Sequence, residues 1–293
     1  MLLSTLTEQL TIRFGFKRAV EMIHEAGFDA YDASLMGQSF REFQGDDYVD
    51  FARSMRDYAD SLGIVCNQSH APFGTSTGNP VRDEEIFRSV VRAMEVASIL
   101  GAKCIVVHPN QHMLCIEHTE EIRAINLAFY RRLLPYCEQF GIKVAVENMW
   151  DCLPGSRKII ESACARPEEF CDYVDMLESP WIVACLDIGH VPLVGGSLKN
   201  MIHALGPRLQ ALHVHDNDYL NDMHTLPFTQ KIPFDDVTTA LAEIGYEGDF
   251  TYEADEFWRH FPNELVPDVL VFMEKVGRHL AGEIEKKKKE MSR

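Results

Sequence analysis

Apolar and polar positions along this chain alternate between two regimes. Short β-branched or apolar runs give way, roughly every 35 residues, to longer segments with helical spacing, several of which end at a glycine. Residues 30–35 read as a strand and 47–62 as a helix closed by Gly63. Residues 64–67 are a strand, followed by a helix over 83–100 closed by Gly101. A strand over 104–107 precedes a helix over 119–140 closed by Gly141. Residues 144–146, 181–186, 209–214 and 250–252 give the later strands, with helices over 167–177, 235–244 and 263–286. A first strand is expected within residues 1–6.

Strands that run as continuous apolar segments and alternate with helices belong to a parallel sheet covered on both faces. Eight such units in 293 residues favour closure over an open sheet. The expected fold is an α/β (β/α)₈ barrel forming a single domain over residues 1–293, a size that suits this architecture. Residues 280–293 are expected to be a basic helical extension. No glycine-rich phosphate loop follows any strand, which weakens a nucleotide-binding doubly wound alternative.

Composition narrows the classes of partner. Hydrophobic residues make up 46% and charged residues 25% of the chain, enough for a large core. The formal charge of −17 disfavours nucleic acid as a partner, because phosphate backbones demand clustered Lys and Arg. The one basic block runs from Lys286 to Lys289. Eight scattered cysteines without a C-x-x-C pair read as reduced thiols. With no run long enough to span a bilayer and no signal-peptide pattern, the expected location is cytoplasmic, without a membrane partner. A homo-oligomer is compatible with the sequence.

The chemistry is concentrated at strand ends. His70 and His108 follow the strands at 64–67 and 104–107, and Glu147 ends the run Val144-Ala145-Val146. Asp187 follows Val183-Ala184-Cys185-Leu186, with His190 three residues on. His213 ends Leu209-Gln210-Ala211-Leu212; Asp222 and His224 lie in the loop beyond it, and Glu253 ends Phe250-Thr251-Tyr252. In a closed barrel the C-terminal strand ends converge on one mouth. Carboxylates and imidazoles crowded into a partly buried pocket are costly unless a cation compensates them, and mixed oxygen and nitrogen donors suit zinc or manganese. A divalent metal site is therefore expected.

The same segments carry a family resemblance. They are Ser69-His70-Ala71-Pro72-Phe73, Val107-His108-Pro109, Val146-Glu147-Asn148-Met149, Leu186-Asp187-Ile188-Gly189-His190, Leu212-His213-Val214-His215-Asp216-Asn217-Asp218, Asp222-Met223-His224-Thr225-Leu226-Pro227 and Tyr252-Glu253. In this order they resemble the xylose isomerase-like TIM barrels, which include sugar-phosphate isomerases and epimerases, inosose dehydratases and type IV AP endonucleases. The resemblance to the epimerases implies one metal on Glu147, Asp187, His213 and Glu253. There the two glutamates also remove and return a proton, and His190 contacts a substrate hydroxyl. The resemblance to the endonucleases implies up to three ions, adding His70, His108, His190, Asp222 and His224. The chain departs from the epimerase pattern at Tyr219, where those enzymes carry an arginine six residues beyond the metal-binding histidine.

These readings give a working expectation: a metal-dependent sugar or sugar-phosphate isomerase or epimerase that abstracts a proton beside a carbonyl through an enediolate. Glu147, Glu253 and His190 are its catalytic candidates. His70, His108, Trp150 and His215 are candidates for substrate contact. A multinuclear zinc phosphoesterase and an inosose dehydratase-like lyase are the alternatives. Phe257 and Trp258 either wall the substrate or pack a loop, and Arg157 and Lys158 are the loop cations nearest to a phosphate clamp.

Overall fold

The computed structural model describes residues 1–292. Its barrel strands are β1 (Leu3–Leu6), β2 (Ala30–Ser34), β3 (Val65–His70), β4 (Cys104–Val107), β5 (Lys143–Glu147), β8 (Ile182–Asp187), β9 (Leu209–His213) and β10 (Phe250–Tyr252), with β6 (Trp150–Cys152) and β7 (Ile159–Glu161) forming a separate antiparallel hairpin. The eight pair in parallel in the order β10-β1-β2-β3-β4-β5-β8-β9. Val214 closes the ring against Tyr252, its N–H donating to Thr251 O at 2.9 Å while Glu253 N donates to Val214 O at 3.1 Å. The chain is a (β/α)₈ barrel.

The helices are α1 (Glu8–Phe14), α2 (Phe16–Glu25), α3 (Tyr48–Leu62), α4 (Pro80–Leu100), α5 (Cys115–Phe140), α6 (Pro167–Asp175), α7 (His190–Leu193), α8 (Leu198–Leu205), α9 (Phe234–Glu243) and α10 (Val266–Met291). Their ends follow from local chemistry. Asn79 caps α4 by accepting from Val81 N and Arg82 N at 3.1 and 3.3 Å, Pro80 occupies the first turn, and Gly101 ends the helix with a left-handed φ of 100°. The pattern reading omits α1, α2, α7, α8 and the β6–β7 hairpin; α1, α7 and the hairpin strands are short, whereas α2 (Phe16, Ala19, Val20, Ile23) and α8 (Leu198, Met201, Ile202, Leu205) bury residues at i, i+3, i+4 and i+7, a helical spacing present in the sequence. It also starts the third long helix at 119, whereas α5 begins at Cys115 and bends at His118, where φ is −131°.

The core has two layers. The larger lies between strands and helices and holds Phe16, Phe43, Tyr130, Phe170 and Trp258. The smaller fills the barrel interior with Cys104, Val106, Ala145, Val183, Cys185 and Ala211. A cavity of about 750 Å³ opens at the N-terminal end of the barrel, where Asn67, Gln68 and Cys104 line it. Residues 280–291 continue α10. Leu280 and Ile284 are buried, and Lys287 reaches Thr238 and Thr239 Oγ1 at 2.9 and 2.8 Å, so the basic stretch is packed against α9. Among the described residues no helix is long and apolar enough to cross a membrane.

Candidate metal centre and active site

Side chains alternate across a strand, so each candidate extends the inward-facing row of its own strand. Glu147 follows Ala145, His213 follows Ala211, Asp187 follows Cys185 and Glu253 follows Thr251. The barrel thereby brings all nine strand-end residues to its C-terminal mouth. With His215 they form four groups whose donor atoms lie within 4.8 Å of one another: three that share members (His70, His108 and Glu147; His70, His213 and Glu253; Glu147, Asp187, His213 and Glu253) and a separate one of His190, His215, Asp222 and His224.

The distances show how tightly these groups meet. His213 Nδ1 lies 3.0 Å from Glu253 Oε2 and 3.3 Å from Glu147 Oε1. His108 Nε2 is 2.9 Å from Glu147 Oε2 without the alignment of a hydrogen bond. His190 Nε2 is 3.5 Å and His224 Nε2 2.9 Å from Asp222 Oδ2. His215 is fully buried, stacks on His224 with ring centroids 4.1 Å apart and directs Nε2 at Asp187 Oδ1 and Oδ2, at 3.0 and 3.1 Å. Asp216, beside it in sequence, instead accepts backbone N–H groups from Asn217, Gln230 and Ile232 and so shapes the loop that carries Asp222 and His224.

Whether a cation fits can be read from the imidazoles. His70 Nδ1 donates to Ala71 O at 2.8 Å, so the neutral ring presents a bare lone pair on Nε2, and that atom lies 3.0 Å from His108 Nε2. His190 Nδ1 donates to Asn148 O at 2.8 Å and His224 Nδ1 to Glu253 O at 3.1 Å, which likewise frees Nε2 on each. Anchoring one ring nitrogen on a carbonyl is how proteins orient a histidine that ligates through the other. Asp222 Oδ1 is buried with no hydrogen-bond partner. These donor sets fit divalent cations with mixed nitrogen and oxygen ligands.

Electrostatics without a cation follows the same crowding. Burial pushes the Glu147 and Glu253 carboxyls up, but His213 beside both, with His108 at Glu147 and His224 at Glu253, holds each well below the usual carboxylate range. Burial opposes charge on His190, yet Asp187 and Asp222 raise it to about 10. His70 moves the other way, to about 4, through burial and the neighbouring His108 and His213. Carboxyls outside the candidate set are also raised: Glu8, beyond β1, to about 7 by burial, Asp255 and Glu253; Asp32 to about 7 by burial; and Asp255 to about 6 by burial.

Above these groups opens a cleft of about 540 Å³. Glu147, His190, Asp222, His224 and Glu253 line its floor, with Trp150 and Phe73 among its walls; none of its described lining residues is Lys or Arg. Trp150 Nε1 donates to Asp222 Oδ2 at 3.2 Å. His70 and His215 are fully buried and lie off the cleft lining, whereas His108 and Trp150 reach it. Trp258 is 1% exposed in the core and Phe257 packs against that core, so loop packing accounts for both. Arg157 and Lys158 are exposed between β6 and β7, away from the cleft, and Tyr219 turns its hydroxyl to Lys231 O. Asp32, Gln68 and Phe73 were missing from the candidates. A carboxylate in the otherwise small and apolar run Ala30-Tyr31-Asp32-Ala33 was the available signal for the first.

Similar proteins place this architecture. An uncharacterised protein of Methanocaldococcus jannaschii is 28% identical over 243 residues, covering 80% of this chain and 78% of its own length. Fructoselysine 3-epimerase of Escherichia coli O157:H7 is 20% identical over 207 residues, covering 69% and 70%. Among solved structures, the IolI protein with a bound zinc atom superposes with a TM-score of 0.77 at 18% identity, covering 97% of this chain and 99% of that one. The model of the xylose isomerase-like TIM barrel family matches residues 20–275, and the chain belongs to that family.

Proposed function

We propose that this protein is a divalent-metal-dependent isomerase or epimerase of an unphosphorylated sugar or a closely related polyol-derived ketone. The observation that carries this reading is the cleft itself: two glutamates that also belong to one four-residue donor group, Glu147 and Glu253, share its floor, and no Lys or Arg lines it to clamp a phosphate. The fructoselysine 3-epimerase and the zinc-bearing IolI protein lend support as relatives of like fold.

Glu147, Asp187, His213 and Glu253 would hold the ion. A divalent cation there supplies Lewis-acid stabilisation of negative charge developing on adjacent substrate oxygens. Glu147 and Glu253 come from different strands, β5 and β10, so one, as a carboxylate, removes a proton beside the carbonyl, and the other, having taken up a proton from solvent, delivers that proton to the opposite face. General base action requires an ionised carboxylate, and the depressed carboxyl of Glu147 meets that condition. His190 and His108 face the cleft and donate to or accept from substrate hydroxyls. Trp150 and Phe73 offer apolar faces to the sugar ring. His70 and His215, being buried, act from the ligand side.

Glu147→Gln should abolish exchange of the carbon-bound proton of a ketose with heavy water, measured by proton NMR. Unchanged exchange in that variant would remove Glu147 as the base. A second reading, a multinuclear zinc phosphoesterase, is favoured by the additional donor groups around His70 and Asp222. Metal analysis separates the two: about one ion per chain supports the isomerase, and three zinc ions with phosphoester hydrolysis support the alternative.

A further inference from the structure

The six imidazoles of the proposed donor groups are not anchored alike. His70, His190 and His224 each fix Nδ1 on a backbone carbonyl. His213 is reversed, because its Nδ1 is the atom that meets Glu147 and Glu253. Its Nε2 turns into the barrel, fully buried, where it has no hydrogen-bond partner. The polar group it faces is Asp32 Oδ2, 3.9 Å away, on a side chain that is itself 0% exposed. That gap is too short for an intervening water and slightly too long for a hydrogen bond.

Asp32 is held in place for this position. Gln68 Nε2 donates to Asp32 Oδ2 at 2.9 Å and also lies 3.4 Å from the carbonyl of Leu212, the residue preceding His213. The pairing depends on a β-bulge. Tyr31 pairs with Cys66, but Asp32 pairs with Gln68, so Asn67 is the extra residue that brings Gln68 level with Asp32 inside the barrel. A buried carboxylate fixed by a buried amide, in an interior otherwise filled by Cys, Val and Ala, is costly unless it has a polar task.

We infer that Asp32, fixed by Gln68, is the positioning residue for His213: with a cation on Nδ1, the Asp32 carboxylate accepts the Nε2–H and sets the tautomer and tilt of the ring. The inference rests on the metal centre of the proposed function. Removing such a carboxylate partner typically costs 10–100-fold in metal affinity.

The test titrates zinc into the metal-free full-length protein against a chromophoric chelator, for the wild type, Asp32→Asn, Gln68→Met and Asp187→Asn. Nitrogen-15 spectra of histidine-labelled, zinc-loaded wild type are recorded alongside. The expected result is a 10–100-fold weaker zinc affinity in Asp32→Asn and a smaller loss in Gln68→Met. The wild type should show one ring with nitrogen-bound zinc at Nδ1 and an exchange-protected, downfield Nε2–H. A folded Asp32→Asn that binds zinc as tightly as wild type overturns the positioning role and leaves the metal centre standing. Failure of the wild type itself to bind zinc overturns the metal centre and this inference together. Should Asp32→Asn not fold, the wild-type spectrum decides, since absence of the protected Nε2–H refutes the contact.

Discussion

At the residue scale, the mouth is organised by what each polar atom lacks. Buried donors and acceptors are normally paired, yet Asp222 Oδ1, His213 Nε2 and His215 Nδ1 are not, and all three sit among the donor groups. The packing that holds His215 there is unforgiving. A Cβ on Gly189 would fall inside the His215 ring, so only glycine lets the turn between Asp187 and His190 pass beneath the imidazole. Gly189→Ala should therefore destabilise the protein by about 1–3 kcal/mol through overpacking. Urea denaturation measures this, and wild-type stability in the variant would show that the ring has room to move.

At the element scale, the β6–β7 hairpin is an insertion on the C-terminal side of β5 that serves the cleft rather than the barrel. It pairs Trp150 with Glu161 and Cys152 with Ile159, and it holds the indole edge-on to His190 with centroids 6.4 Å apart. Because the indole walls the cleft, its loss should weaken binding of a sugar more than it slows chemistry. Trp150→Ala is expected to raise KM by up to roughly tenfold, the scale of one aromatic contact, with a smaller change in kcat. Steady-state kinetics on the identified substrate gives the answer, and a loss confined to kcat would argue that the indole acts through Asp222 instead. The opposite case is α10, which seals the barrel wall. A Cβ on Gly277 would lie 2.5 Å from Leu3 Cδ1, so glycine there lets the helix approach β1.

At the scale of the whole molecule, the buried charges couple stability to pH. In the metal-free protein His190 is raised to about 10 from 6.5, so its stabilising share is full below about 6.5 and fades as pH rises toward 10. Asp32 and Glu8, raised to about 7, act in the same direction, because the folded state holds their protons more tightly than the unfolded chain and this advantage fades as pH climbs to about 7. Glu147 and Glu253 act oppositely: their depressed carboxyls stabilise the fold above about 4.5 and lose that effect as pH falls. The metal-free protein should therefore lose stability on both sides, as pH falls below about 4.5 and as it rises from about 6.5 toward 10. Metal binding needs deprotonated ligands, so added zinc or manganese should raise Tm and move the optimum to higher pH. Thermal denaturation across pH, with chelator and with metal, tests this; an optimum that metal leaves in place would count against the centre.

The order of the eight barrel strands and of the longer helices, the closure of the barrel and the convergence of nine donors on one mouth were legible in the sequence. They follow from periodicity and from a covalent order that places one polar residue at each strand end. Cys185, two residues before Asp187 and so on the same side of its strand, fills the barrel beneath it. What the tertiary structure decided was which of those residues face the cleft and which support it. His70 and His215 disappear beneath the mouth, Phe73 and Trp150 rise around it, and Asp32 meets His213 across the barrel. That last meeting depends on a one-residue bulge at Asn67, which changes the register of β2 against β3 without leaving a mark in hydrophobic spacing. Local pattern fixes the face a side chain takes, whereas its partner across the barrel is set by closure, bulges and the space that neighbouring small residues leave.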